Sequence, residues 1–144
     1  MWSARERDLL ILYAQLPRLT CQQKCQHACT SIVMSQTEWE RLTRAAGSEE
    51  LYVQESGRCP LLVNGRCRVY PVRPMICRLW GLTKDMACPY GCEPERWLEA
   101  EEARQFLRAA EQLSGGRMNG IFPRSTAHLA RRRLAKDALE QVRG

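Results

Sequence analysis

Eight cysteines, Cys21, Cys25, Cys29, Cys59, Cys67, Cys77, Cys88 and Cys92, lie within the first two thirds of a 144-residue chain. Thiolates at this density do one of three things: they bind a metal ion or cluster, they pair as disulfides, or they sit buried as small apolar residues. A chain of this length can bury a core large enough to fold without staples. The segment Met1 to Arg18 places Arg5, Glu6, Arg7 and Asp8 before a short apolar run, Leu9 to Leu12, which is not the pattern of a signal peptide. No stretch reaches the roughly 18 apolar residues of a membrane span. The expected location is therefore the cytoplasm, with no membrane contact. Thiols stay reduced there, and cysteine-rich sequences are more often metal-binding or catalytic than disulfide-linked.

The spacing says more about geometry than about the identity of the metal. No C-x-x-C knuckle occurs, so the usual zinc-ribbon signature is missing, although the C-x3-C steps remain within the looser range of zinc ligands. On a helix, Cys21 and Cys25 share a face, as do Cys25 and Cys29. Cys21 and Cys29 would lie about 12 Å apart along the axis. One zinc ion needs four sulfurs each at about 2.3 Å, so a straight helix cannot give all three to one ion. Either the helix breaks, the cysteines divide between two sites, or the site is a larger cluster. Cys59-Pro60 and Cys88-Pro89 repeat the Cys-Pro pair that closes bacterial ferredoxin ligand runs. This places a [4Fe–4S] iron–sulfur cluster slightly ahead of zinc as the expected cofactor.

Charge supports an anionic centre. The net charge is +6, and the stretch from Arg58 to Arg78 carries Arg58, Arg66, Arg68, Arg73 and Arg78 without one acid. Thiolates carry more negative charge than zinc or a cubane core offsets, and nearby guanidinium groups stabilise them. Arg73 and Arg78 are the expected neighbours of the ligands. A second basic zone, Arg124, Arg131, Arg132, Arg133 and Lys136, offers a contact for nucleic acid or an acidic protein. The blander reading of that zone is a solvated helix face. His27 points away from the cysteine face of its helix, and His128 lies in the basic zone; neither is an expected ligand. There is no P-loop, no dinucleotide fingerprint and no nucleophile elbow. A redox-active thiol enzyme stays open, without a local motif to support it.

The elements that must hold these residues follow from caps and periodicity. Ser3-Ala4-Arg5-Glu6 reads as a capping box opening a helix to about Leu16, before Pro17. Thr20 opens a short helix through Cys29. Ser35-Gln36-Thr37-Glu38 opens another, with Trp39, Leu42 and Ala46 on one face and Gly47 at its end. Leu51-Tyr52-Val53 is a candidate strand. Asn64-Gly65, between Leu61-Leu62-Val63 and Arg66 to Tyr70, predicts a two-residue hairpin that sets Leu62 opposite Cys67. Strict alternation then turns Cys59 to the other face, unless the chain is irregular beside Pro60. Ile76 to Cys92 reads as loop or short helix. Pro94 suits the start of a helix to Leu113 carrying Trp97, Ala100, Ala103, Leu107 and Ala110, and Ser125 caps a last helix to about Val142. The expected fold is mainly α with a small antiparallel β-hairpin and an irregular cysteine-rich metal-binding centre. It forms one domain over 1–144, with a cysteine core at 21–92 and a helical segment at 94–144.

The run from Cys59 to Trp80 has a Cys-Pro-apolar start, a Gly-x-Cys-x-apolar-Tyr middle and an Arg-Pro-x-x-Cys-Arg end. It resembles the core of the CxxCxxxCC, or YkgJ-type, cysteine-cluster family of zinc- or iron-chelating proteins, whose pattern falls on Cys59, Cys67 and Cys77. Cys21, Cys25 and Cys29 stand where that family has its first cysteine group, and Ser35 to Leu42, with Glu38-Trp39, resembles the helix after it. This chain departs from the family at Thr30, which replaces the second member of the doubled cysteine. Cys88 and Cys92 are the candidates to supply what is missing. The resemblance implies metal or cluster binding and fixes no activity, since a flagellin lysine N-methylase shares the cysteine pattern.

Overall fold

A computed structural model describes residues 3–21, 34–47, 51, 54, 58–114 and 118–119. Helix α1 spans Ala4–Ala14, with the Ser3 hydroxyl accepting from the Glu6 backbone N–H at 3.2 Å. It ends at Ala14, with Gln15 as its cap, two residues short of the expected Leu16. Strand β1, Met34–Ser35, leads directly into α2, Gln36–Ala46. Here the capping box is complete in both directions, and Gly47 closes the helix in the left-handed conformation (φ 75°). Both features follow the sequence expectation.

The hairpin is formed by β2, Leu62–Val63, and β3, Arg66–Cys67, in antiparallel register with Leu62 opposite Cys67. Asn64 and Gly65 both have positive φ (51° and 78°), as a primed two-residue turn requires. A 3-10 turn over Tyr70–Val72 follows, then α3, Met75–Leu79, and a second 3-10 turn at Lys84–Met86. Helix α4 spans Ala100–Leu113, and β4, Met118–Asn119, pairs antiparallel with β1. Sequence reasoning did not anticipate that second ladder.

Pro94 does not open α4. The helix begins six residues later, where Glu99 caps the Glu102 backbone and Glu102 answers the Glu99 N–H. Before it, Leu98 N–H donates to Leu82 O at 2.8 Å and Glu95 N–H to Arg18 O at 2.9 Å. These long-range bonds hold residues 95–98 against other segments, so Trp97 precedes the helix and does not share its face. Leu51 is buried without regular structure, while Tyr52 and Val53 lie outside the described residues, as do the expected helices after Thr20 and Ser125.

Two apolar clusters organise the described residues. The first joins Leu9 and Tyr13 of α1, Met75 and Leu79 of α3, Leu82, Leu98, and Ala103 and Ala110 of α4. The second joins Met34, Leu42, Leu51, Leu61 and Val69, with Trp39, Cys59 and Cys67 packed against it. One side chain connects them. Glu38, 2% exposed, accepts from Ser35 N (3.1 Å) and Ser35 Oγ (2.9 Å) with one oxygen. With the other it accepts from the Tyr13 hydroxyl and the Met75 backbone N–H. A buried carboxylate is tolerable only when its lone pairs are met this fully. Three helices are thereby fixed to one another around one carboxyl group.

Candidate metal centre

The hairpin resolves the question of Cys59. Leu62 N–H donates to Cys59 O at 3.2 Å, closing a turn through Pro60 before the ladder begins. That turn breaks the strict alternation, and Cys59 and Cys67 pack against the same apolar cluster. Gln54 Nε2 fixes the turn by donating to Cys59 O (2.9 Å) and Leu62 O (3.1 Å). Arg68 anchors the far side through Ala46 O at 2.6 Å.

Cys77 lies half-buried on α3, next in sequence to Arg78, while Arg73 closes the preceding 3-10 turn. Their guanidinium groups are engaged locally. Arg78 donates to Arg73 O (2.7 Å) and Pro71 O (2.9 Å) and lies 3.9 Å from the centroid of the Tyr13 ring. Arg73 donates to Tyr70 O and stacks 3.7 Å from that ring. Burial lowers the Arg78 pKa, and neighbouring Tyr13 works in the opposite direction. Both arginines therefore brace the segment that carries Cys77.

Cys88 and Cys92 flank a tight loop. Gly91 N–H donates to Cys88 O at 3.2 Å, and Gly91 adopts φ 82°, which a side chain rarely permits. The resulting Cys-Pro-Tyr-Gly-Cys loop turns the backbone N–H groups of Tyr90 and Cys92 toward the Cys88 sulfur, and the two thiols touch through a hydrogen bond. Burial alone would raise the Cys88 pKa, but the two backbone donors and the Cys92 thiol together hold it below the ordinary thiol value.

Cys21 is half-exposed at the end of the segment that follows α1. Cys25, Cys29, His27, His128, Arg124, Arg131, Arg132, Arg133 and Lys136 lie outside the described residues. No disulfide joins the six described cysteines. Among the described residues, no three Cys, His, Asp or Glu side chains converge as metal ligands. The structure thus brings Cys88 to Cys92 and places Cys59 with Cys67 against one cluster, without assembling a complete shell. The six described thiols lie at Cys21, at the Cys59–Cys67 hairpin, on α3 at Cys77 and in the Cys88–Cys92 loop, and thiol sulfur is a donor that zinc and iron both accept.

Sequence reasoning missed the polar groups behind the site. The S-x-x-E box located Glu38, but no signal foretold its reach to Tyr13 and Met75. Glu6, also buried, pairs with Arg44 at 2.8 Å and lies 3.9 Å from Arg41. The Nη1 of Arg41 and the indole Nε1 of Trp80 are buried without hydrogen-bond partners among the described residues.

With this geometry in place, comparison with known proteins defines the class. The chain belongs to the CxxCxxCC family, described as a "Putative zinc- or iron-chelating domain", whose model matches residues 20–109. The matched span contains all eight cysteines. No curated protein and no solved structure matches the chain. Metal chelation is the property that membership supports. No helix among the described residues is long and apolar enough to cross a membrane.

Proposed function

We propose that this chain is a cytoplasmic metalloprotein that uses its cysteines to hold a [4Fe–4S] cluster, with zinc as the competing occupant, in a redox or sensing role. The reading rests on the match to a zinc- or iron-chelating domain over residues 20–109, a span that holds all eight cysteines. Cys59, Cys67 and Cys77 are the ligands we favour first, then Cys21, Cys25 and Cys29, then Cys88 and Cys92. Residues 21–92 form the thiolate core of one domain, and 94–144 its helical companion. Arg73 and Arg78, four residues before and one after Cys77 in the chain, would supply positive charge near an anionic centre there. Reduced thiols at this density favour a reducing compartment.

The test is electron paramagnetic resonance on protein purified without oxygen and reduced with dithionite. A cluster gives a paramagnetic signal with bleaching of visible colour. A colourless, silent protein that unfolds when chelators remove zinc selects the other occupant. In that case the basic zone Arg124, Arg131, Arg132, Arg133 and Lys136, with its net charge of +4 from Arg124 onward, is the surface to assay for nucleic acid or an acidic protein. Salt-dependent binding is its signature.

A further inference from the structure

We infer that Cys88 and Cys92 form a redox-active dithiol, which exchanges with low-molecular-weight disulfides of the glutathione class and closes into a reversible disulfide within its loop. The metal reading ranks these two cysteines last among the ligands. The inference goes beyond that reading and gives the pair a chemistry that needs no bound metal.

The loop itself brings the two sulfurs together. Gly91 N–H donates to Cys88 O at 3.2 Å, closing a turn with Pro89 at its second position. Proline fixes the φ that this position needs. Gly91, at φ 82°, then redirects the chain and returns Cys92 to Cys88. The backbone N–H groups of Tyr90 and Cys92 donate to the Cys88 sulfur, and the Cys92 thiol touches it through a hydrogen bond. Bridging two cysteines held far apart requires the backbone to move; thiols already in contact across a closed turn avoid that cost. The pair is also within reach of a small reagent. Both thiols are half-buried, and Pro89, Tyr90 and Gly91 between them are exposed. Among the described residues, no third ligand side chain converges on the pair.

The exchange balances with the disulfide RSSR as the sole oxidant. Cys88 Sγ attacks one sulfur of RSSR, the S–S bond breaks, and a Cys88–SR mixed disulfide forms. The expelled RS⁻ takes up the Cys88 proton. Cys92 Sγ then attacks Cys88 Sγ, the Cys88–Cys92 bond forms, and the second RS⁻ leaves with the Cys92 proton. Two electrons pass from the protein to RSSR, which is recovered as two thiols. Because the sulfurs touch, the second step is intramolecular and the mixed disulfide is short-lived. An exposed disulfide of this kind belongs to the labile class that cellular thiols reopen, in keeping with the transient disulfides of reducing compartments.

The test equilibrates the reduced full-length protein with glutathione and glutathione disulfide at a series of ratios. Excess N-ethylmaleimide then quenches the exchange, and tryptic peptides are read by mass spectrometry. Trypsin releases both cysteines in one peptide, residues 85–96. The expected result is that this peptide loses both alkylation sites together and becomes two hydrogens lighter, at ratios where Cys59 and Cys77 form no disulfide. Dithiothreitol restores both sites. In Cys92→Ser, which lacks the second sulfur, glutathione stays on Cys88. If that variant fails to fold by circular dichroism, the wild-type peptide decides alone. Alkylation of both cysteines at every ratio overturns the inference, as does glutathione retained on the wild-type pair without an internal bond. So does oxidation of the pair only where Cys59 and Cys77 are oxidised too. A pair that is neither alkylated nor lighter, in protein that carries iron or zinc, overturns the inference and supports the metal reading. The disulfide formed in protein that binds neither metal upholds the inference while the metal reading fails.

Discussion

Replacing Glu38 tests the packing that positions the cysteines. Its carboxylate is 2% exposed and accepts from four donors: Ser35 N, Ser35 Oγ, Tyr13 Oη and Met75 N. Alanine leaves two buried backbone N–H groups and two buried hydroxyls without this acceptor. Each orphaned donor costs about 1–3 kcal/mol. Relief of the carboxylate's own desolvation and entry of water offset part of that sum, so the net loss should be about 3–5 kcal/mol, the range for breaking a buried charged contact. A domain of this size shifts by roughly 4 °C per kcal/mol, which puts the midpoint about 12–20 °C lower. Glu38→Gln keeps one carbonyl acceptor, suited to Ser35, but turns an amide donor toward Met75 N–H. It should cost about 1–3 kcal/mol. The assay is urea unfolding followed by circular dichroism, with metal content held fixed, because bound metal adds its own stabilisation. A loss below about 1 kcal/mol for Glu38→Ala would refute the reasoning. So would equal losses for the two variants, since the argument depends on acceptor count.

Three further outcomes follow from the same geometry. Burial, then the Glu38 charge and hydrogen bond, raise the Tyr13 pKa above its ordinary 10.0, so above pH 10 the unfolded chain releases a proton that the folded chain keeps. Stability is then full below about pH 10 and falls as pH rises further; Tyr13→Phe should flatten that alkaline decline, as unfolding curves at pH 9 to 11 would reveal. Gly81→Ala forces a side chain into φ 87° and against Leu19, costing about 1–3 kcal/mol by thermal melting. Cys67→Ser, which removes a favoured ligand, should lower metal content measured by elemental analysis while leaving the hairpin register intact by NMR.

Local signals carried over into the structure where local physics decides. The α2 capping box, Gly47 at its end and the Asn64-Gly65 turn each fix a few neighbouring dihedrals, and each formed as expected. The start of α4 did not, because Pro94 only permits a helix start. The bonds Leu98 N to Leu82 O and Glu95 N to Arg18 O hold the chain in another path. The pairing of β1 with β4 joins residues far apart in sequence, and its two-residue strands are too short to show a period. The same distinction separates the parts of the site. Cys88 and Cys92 stood out in the sequence as candidates to supply a missing ligand, whereas the turn that Gly91 closes between them is seen only in the structure. Glu38 was visible as a cap, but its role as the junction of three helices was not.

The most direct measurement is iron, acid-labile sulfide and zinc content, with a visible spectrum, on the full-length protein purified without oxygen. The account predicts thiolate-bound metal, with iron and sulfide in equal amounts at about four of each per cluster and a broad visible absorption that cysteine-to-serine replacement removes. Protein that carries neither iron nor zinc, and takes up neither when reduced and supplied with both, would contradict the claim that these cysteines are metal ligands.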